Sequence, residues 1–555
     1  MSEPHRKSHA LPLVAMGLFI LASRGARSES YWTAETGEWN VNANWSGETI
    51  PGADDVVVAT NYPGSAGGAY LVRVSDGVVA ECAQLKLDTG DVGWPIAPHV
   101  TVEGGGKLYI RSSELNSYVN SKSAVHVEDG GEFSAVKLLV GLPSNTAIFG
   151  KIGAGAFVNE GKSTVSSLAL RRGGVVTNCG EMVVSYLKVG GNVGSGTVVQ
   201  TGGALEILNE CSVAKDGSDE YSAELVVTGG SVTNRGFMRV AYADRNRSNT
   251  RVTVTGKGTS WVNLGTGTSN DNGCWFGKYN NSTLYMTNGW FVVADGARFE
   301  NACAMTFARM AGTSSGQRID STIAVTNGAV FFCRSNVLLG ELCQDSSDGV
   351  STGRLVVDNA EAFVTNAAGT AELRLGSPLG AGTSEARGRL EVLGGGLVCC
   401  DRLVATNGTR SVVNVVSGVV RAKDAKVATG SVLTLGAEGA SGGEWRLGAA
   451  GVCEFSGGLA VLAGAALGVE FDAEGQTGFA DVGDQELSFA SGSRLNVTLN
   501  GFEPQHGTNW VVARARTISG LPVATKGWSV AKVAEGGRES LMLQCDPPGL
   551  KIVVR

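Results

Sequence analysis

The residues that could do chemistry in this 555-residue sequence are few, and the most compact set is the carboxylate pair Asp54 and Asp55. Two neighbouring carboxylates can serve as acid and base on a sugar substrate, or as oxygen ligands for calcium. Adjacent residues on a strand point to opposite faces, however, so these side chains would not converge on one site. We therefore interpret the pair as part of a turn or cap, and we name no catalytic residue.

Histidine and cysteine do not define a stronger site. Beyond residue 28 the histidines are His99, His126 and His506, and none accompanies a recognisable Ser or Cys nucleophile motif. His126 lies between two valines of an alternating pattern, so we expect it to face solvent. The 11 cysteines are irregularly spaced without a C-x-x-C pair, so we expect no zinc or other metal site, and no cofactor.

The cysteines leave two interpretations open. One or two disulfides could form after export, but burial as small apolar residues in a stack is the interpretation that we favour. Cys399 and Cys400 cannot both face inward on a regular strand, because neighbouring side chains alternate.

An aromatic segment between residues 261 and 299 is the one candidate for ligand binding. Aromatic rings flanked by amides on a β surface could stack against sugar rings. The same rings could instead fill a wide section of core, which is the interpretation that we favour. The candidate glycan-binding residues are Trp261, Trp275, Phe276, Tyr279, Tyr285 and Trp290.

A repeated element must position all of these residues. It is clearest at 225–232, which reads Leu-Val-Val-Thr-Gly-Gly-Ser-Val. Each copy is a short alternating strand, a Gly/Asn pair able to adopt positive φ, and a second apolar strand. Successive glycine turns recur roughly 22 to 39 residues apart, a spacing typical of solenoid coils with variable loops. Further copies lie at 198–205, 284–291, 323–330, 355–360, 390–397 and 413–420.

These repeats predict an all-β fold, a right-handed parallel β-helix (β-solenoid) of irregular, glycine-rich coils with an N-terminal cap. Gly is 80 of the residues and Pro only 12, while 43% are hydrophobic, which argues against a disordered linker. We divide the chain into a signal peptide at 1–28, a Trp-rich cap at 29–69, solenoid repeats at 70–436 and a β-rich continuation with an end cap at 437–555.

Residues 1–28 have the pattern of a secretory signal peptide, with a positive start, an apolar run over 10–22 and small residues before the cleavage site. The pattern predicts export, and therefore a secreted or cell-surface location. The apolar run is too short to span a membrane.

The predicted cap follows directly. It contains three tryptophans within fourteen residues, whose large apolar area would be costly to expose, so we expect it to cover an open end of the strand stack. The predicted cap residues are Trp32, Trp39, Asn44, Trp45, Pro51, Asp54 and Asp55.

Charge excludes one class of partner. The net charge is −7 and charged residues make up 17% of the chain, with no polybasic run, so we expect no nucleic-acid partner. The densest cationic stretch, from Arg235 to Arg251, is interpreted as the solvated edge of a repeat. We expect no transmembrane segment in the mature chain, and extracellular polysaccharide or cell-surface components as partners.

The repeats, the leader and the opening Trp39…Asn44-Trp45…Pro51…Asp54-Asp55-Val56 together resemble secreted bacterial β-solenoid proteins with autotransporter-associated β-strand repeats. Units of that family read close to Gly-x-Leu-x-Val-x-Gly-Gly-x-Leu. The resemblance implies an extracellular, passenger-like body with an adhesive or structural role. The sequence departs from that of a complete autotransporter, since we recognise no translocator barrel in it. This difference predicts ordinary secretion.

Three functions follow from these observations. The first is a non-enzymatic, exported β-solenoid with a structural, adhesive or cell-surface role, such as an adhesin. The second is a carbohydrate-binding surface in the aromatic segment. The third is a polysaccharide-active lyase or glycosidase, since many parallel β-helices act on acidic sugars. Against the third, we find no stretch of Asp, Lys and Arg at matching strand positions. We rank the three in that order.

Overall fold

The chain is represented by a computed structural model that describes residues 27–60, 70–88, 97–120, 122–141, 155–190, 194–214, 223–243, 249–265, 274–279, 288–310, 318–342, 349–377, 385–406, 410–437 and 442–546. The predicted signal peptide up to residue 26, and a terminal strand expected at 550–555, lie outside the described residues. In the part that is described, β-strands dominate and are accompanied by the short 3₁₀ helix Asn42–Asn44.

One sheet, which we call sheet I, receives a single strand from each coil, and its pairings are parallel. Its strands, in stacking order, are Thr36–Glu38, Leu71–Val74, His99–Val102, Ala124–Val127, Ala156–Asn159, Gly174–Asn178, Gly196–Gln200, Ala223–Val227, Asn249–Thr255, Asn288–Ala294, Arg318–Thr326, Val350–Asp358, Glu385–Leu393, Val412–Val415, Val432–Leu435, Leu459–Val461, Glu486–Phe489 and Thr517–Ser519.

The other sheet, sheet II, is 31-stranded and receives the rest of each coil as two short strands or one longer strand. Its strands are Glu29–Tyr31, Val56–Thr60, Val79–Cys82, Gln84–Asp88, Lys107–Ile110, Ser117–Val119, Glu132–Val140, Lys162–Leu170, Glu181–Val189, Ala204–Val213, Ser231–Asn234, Phe237–Ala243, Ser260–Asn263, Cys274–Tyr279, Arg298–Asn301, Met305–Met310, Val330–Cys333, Val337–Leu342, Glu361–Val364, Glu372–Ser377, Gly396–Ala405, Gly418–Val427, Gly443–Leu447, Val452–Phe455, Ala466–Phe471, Phe479–Asp481, Arg494–Leu499, Asn509–Ala515, Val523–Ala524, Trp528–Glu535 and Arg538–Cys545.

Register between coils creates columns of buried side chains. Leu225 pairs with Val252, which pairs with Phe291, then Ile323, then Leu355, and all five are buried. Neighbouring strands in such a stack lie about 4.8 Å apart, so each apolar side chain packs on its equivalent in the next coil. The parallel β-solenoid predicted from the repeats is confirmed.

The structure contradicts one predicted repeat copy. The 284–291 alignment predicts a turn at Asn288-Gly289, whereas the structure has the sheet I strand Asn288–Ala294 there. The turn lies at Asp295 and Gly296, which have φ of 55° and 76°. The strand extends over Asn288 because Phe291 must align with the buried column of the neighbouring coils.

The last described coils end the parallel stack. The strand Asn509–Ala515 pairs antiparallel with Arg538–Cys545, which also pairs antiparallel with Trp528–Glu535. Aromatic rings gather beside this hairpin, where the centroids of Trp510 and Trp528 lie 5.7 Å apart. Among the residues described, no helix is long and apolar enough to cross a membrane.

Buried amides form hydrogen-bonded ladders at one corner of the stack. The side-chain amide of Asn234 donates to the Oδ1 atom of Asn263 at 2.6 Å, and Asn263 donates to the Oδ1 atom of Asn301 at 2.5 Å. A second ladder runs from Asn159 through Asn178 to Gln200, at 2.5 and 2.7 Å. Along each ladder the amide nitrogen of one coil donates to the side-chain oxygen of the next, which lowers the cost of burying these polar groups. The Oδ1 atom of Asn234, at the start of the first ladder, has no partner among the described residues.

Replacing the central amide should therefore destabilise the stack. In Asn263→Ala the buried Oδ1 atom of Asn301 loses its amide donor from Asn263, and a small cavity forms, so we expect the free energy of unfolding to fall by about 2–4 kcal/mol. Ser260→Ala, a partly exposed position on the same strand, is the control and should change it little. Equal denaturation midpoints for the two variants would contradict the ladder's role.

Candidate ligand-binding face

The predicted tryptophan cap is a packed cluster at the N-terminal end of the described stack. Trp32, Trp39 and Trp45 are buried, and the ring centroid of Trp45 lies 4.9 Å from each of the other two. The indole nitrogen of Trp45 donates to the carbonyl oxygen of Trp39 at 2.7 Å. The strands on either side of Trp32, Glu29–Tyr31 and Thr36–Glu38, pair with the next coil.

The polar residues of the predicted cap support the chain's local turns. The Asn44 side chain donates to the Glu38 carbonyl at 2.9 Å, and Pro51 is buried. The Asp55 carboxylate accepts a hydrogen bond from the Gly52 backbone N–H at 2.8 Å, while Asp54 is exposed. Asp55 thus acts within a turn, and we retain the cap as a proposal.

Three of the predicted glycan-binding residues are not available to a ligand. Trp261 and Phe276 are fully buried, and the Phe276 ring stacks on Phe307 with centroids 4.4 Å apart. Trp275 faces outward but is only 4% exposed, since Arg239 and Arg309 cover its ring at 5.8 and 5.1 Å from the centroid. The binding interpretation is wrong for these three, which belong to the packed interior or to a covered surface.

Trp290 is different, because it faces outward and 45% of it is exposed. It is on the outer face of sheet I, since its neighbour Phe291 points into the buried column. Tyr285 and the side chain of Tyr279, the remaining members of the predicted set, lie outside the described residues. Of the predicted aromatic ligands, Trp290 is the one that the structure shows exposed.

Arginines accompany Trp290 at matching strand positions. Arg251 pairs with Trp290, which pairs with Thr322, then Arg354, then Arg389, in successive coils. These residues each precede a member of the buried column, so they share the outer face. Our argument that no stretch of Asp, Lys and Arg occupies matching strand positions overlooked Arg354 and Arg389, which pair on neighbouring strands of sheet I.

A shallow groove of about 410 Å³ lies beside this row. Its charged lining residues are Arg318, Asp320, Arg354, Arg387 and Arg389, and Trp290 lies at one end of the strand series. We call Trp290 and these four arginines the cationic face.

Only part of the positive charge on the cationic face is paired. The Nε atom of Arg387 donates to Glu385 at 2.7 Å, and Arg354 lies 3.7 Å from Glu391. Arg318 and Arg389 have no carboxylate partner among the described residues, and the buried Nε atom of Arg389 has no hydrogen-bond acceptor there. The cationic face therefore holds guanidinium groups whose N–H donors can bind an anionic ligand.

Cysteines and histidines lie apart from this face. Cys400 is buried while Cys399 is only partly so, as their alternation predicts, and His126 faces outward with its Nε2 atom 3.2 Å from Glu160. Cys343 lies outside the described residues. In the described part of the chain, no group of three or more His, Cys, Asp or Glu side chains is placed to hold a metal ion.

The fold places the chain in the class of parallel β-solenoids, and comparison does not narrow this class further. A scan against models of known protein families finds no match, and a search of curated proteins finds no similar sequence. The likeness to autotransporter-associated repeats remains a prediction.

Iodide quenching should single out Trp290. Trp290→Phe should lower the fraction of fluorescence that iodide can quench, because the ring is exposed and neighbouring arginines attract the anion. Trp275→Phe is the matched control, and should leave that fraction nearly unchanged because its ring is covered. A larger loss in Trp275→Phe than in Trp290→Phe would contradict the assigned orientations.

The reactivity of the cysteine thiols should show which of them are buried in the stack. Burial raises the pKa of Cys211, Cys333 and Cys453 to about 12. These thiols stay protonated at pH 8, and only the thiolate reacts with iodoacetamide. We expect native protein to be alkylated at exposed Cys179, with these three modified only after unfolding, as read by peptide mass spectrometry. Rapid native alkylation of Cys211 would contradict its burial.

Proposed function

We propose that the protein is an exported, non-enzymatic β-solenoid with an adhesive or structural role at the cell surface. The observation that carries the proposal is the in-register stack, which holds outward side chains in fixed rows over many coils. Such an array can make many weak contacts along an extended partner. Each further coil adds a contact, and its side chains are already ordered by the stack, so little additional conformational entropy is lost on binding. The leader pattern at 1–28 and the family resemblance support export.

The binding partner that we propose is an extracellular polysaccharide. Trp290 offers an exposed aromatic surface, and the rim around it is polar, with Thr322 paired to it on the next strand. This combination suits a sugar ring, whose face is apolar and whose edge carries hydroxyl groups.

A second function is favoured by one specific observation. The groove combines Asp320 with four arginines on a parallel β-solenoid, and such groups could act on an acidic sugar as acid, base or charge stabiliser. A polysaccharide lyase or glycosidase is therefore the alternative, and product release distinguishes it from binding.

The test uses the full chain, expressed with its leader in a bacterial host and purified in its exported form. We expect binding to one or more polysaccharides on an array, and no reducing or unsaturated sugar after prolonged incubation with those it binds. Released product would establish the enzymatic alternative. Failure to leave the cytoplasm, or no binding to any polysaccharide or cell surface, would overturn the adhesive proposal.

A further inference from the structure

We propose that the cationic face binds an acidic polysaccharide, whose carboxylate or sulfate groups pair with the arginines while a sugar ring stacks on Trp290. The proposal rests on the polysaccharide-binding function above and adds to it the chemical class of the ligand and the residues that recognise it.

The geometry of sheet I provides an extended site. The row from Arg251 through Trp290, Thr322 and Arg354 to Arg389 crosses five successive strands. With strands about 4.8 Å apart, the row is roughly 19 Å long. A chain of several sugar rings can lie along it, with acidic groups beside the arginines at its far end.

Charge at the site opposes that of the whole protein. The groove is lined by four arginines and by Asp320, and Glu385 and Glu391 pair with two of those arginines, so the site keeps a net positive charge whereas the chain carries a net charge of −7. A polyanion would be repelled by much of the surface and attracted here, so binding should be confined to this face. A guanidinium group can also donate two hydrogen bonds at once to two oxygens of a carboxylate or sulfate group.

Two arginines are free to make those bonds. Arg318 is exposed, and neither it nor Arg389 pairs with a carboxylate in the described part of the chain. Both arginines line the groove, where a guanidinium group can donate hydrogen bonds to a ligand oxygen.

Trp290 favours a sugar polyanion over a small anion. Its half-exposed ring adds an apolar contact that inorganic sulfate or phosphate cannot use. Single-stranded nucleic acid also combines stacking bases with charge, but the predicted export of the chain favours a glycan. Nucleic acid is therefore included as an outcome of the test.

The experiment measures binding of the exported full chain to four immobilised probes: polygalacturonate, dextran sulfate, neutral dextran and single-stranded DNA. The variants are Arg318→Ala/Arg389→Ala and Trp290→Ala. The matched control is Arg334→Ala, which removes an exposed arginine that lies 3.4 Å from Glu300 on sheet II. All the substituted side chains face outward, so thermal unfolding of each variant should match that of the parent.

We expect the parent to bind one or both acidic polysaccharides more tightly than neutral dextran, with affinity falling as salt rises. The double arginine variant should lose about tenfold or more in affinity, the effect of losing a charged hydrogen bond. Trp290→Ala should weaken binding without altering its salt dependence, and Arg334→Ala should bind like the parent.

The outcomes separate this inference from the proposed function. Equal binding by the double variant and by Arg334→Ala, or equal binding of acidic and neutral polysaccharides, would overturn the acidic-ligand site and leave polysaccharide binding intact. Preference for DNA would overturn the glycan assignment. Arginine-dependent binding with release of unsaturated sugars would support the site and refute the non-enzymatic function.

Discussion

In-register parallel stacking is the constraint on which the whole structure depends. A single coil cannot enclose its apolar side chains, so Leu225 is buried only because Val252 and its equivalents continue the column. The turns must keep this register from coil to coil. Asn327 and Gly328 have positive φ at one such turn, and Asn and Gly adopt that conformation at low cost.

The same constraint explains the polar groups inside the stack. Asn234, Asn263 and Asn301 repeat at one corner, where the amides of Asn234 and Asn263 each donate to the asparagine of the next coil. An isolated buried amide would be left with unsatisfied hydrogen-bonding groups, whereas the repeat gives the central amide, Asn263, a donor in one neighbouring coil and an acceptor in the other. Buried cysteines such as Cys211 follow the apolar pattern instead, as small side chains that fit between larger neighbours.

The sequence predicts the fold well because alternation and glycine turns are local signals of a periodic structure. It predicts the candidate binding face poorly, because the exposure of a side chain depends on register between coils. Asn288-Gly289 has the local signature of a turn, yet alignment of Phe291 with Val252 makes it part of a strand. Trp275 and Trp290 are alike in the sequence, and only the neighbouring strands decide that one is covered and the other exposed.

Register on the inner face also fixes register on the outer face. Because Leu355 stacks on Leu390, Arg354 must lie beside Arg389, and two like charges directly opposite one another destabilise a sheet. Among the described residues, a carboxylate lies near Arg354 and offsets this repulsion, whereas Arg389 has no carboxylate partner. Packing alone gives no reason for arginine at both positions, since any polar side chain would serve the solvated face. An anionic ligand supplies that reason, because it would convert the repulsion into shared attraction.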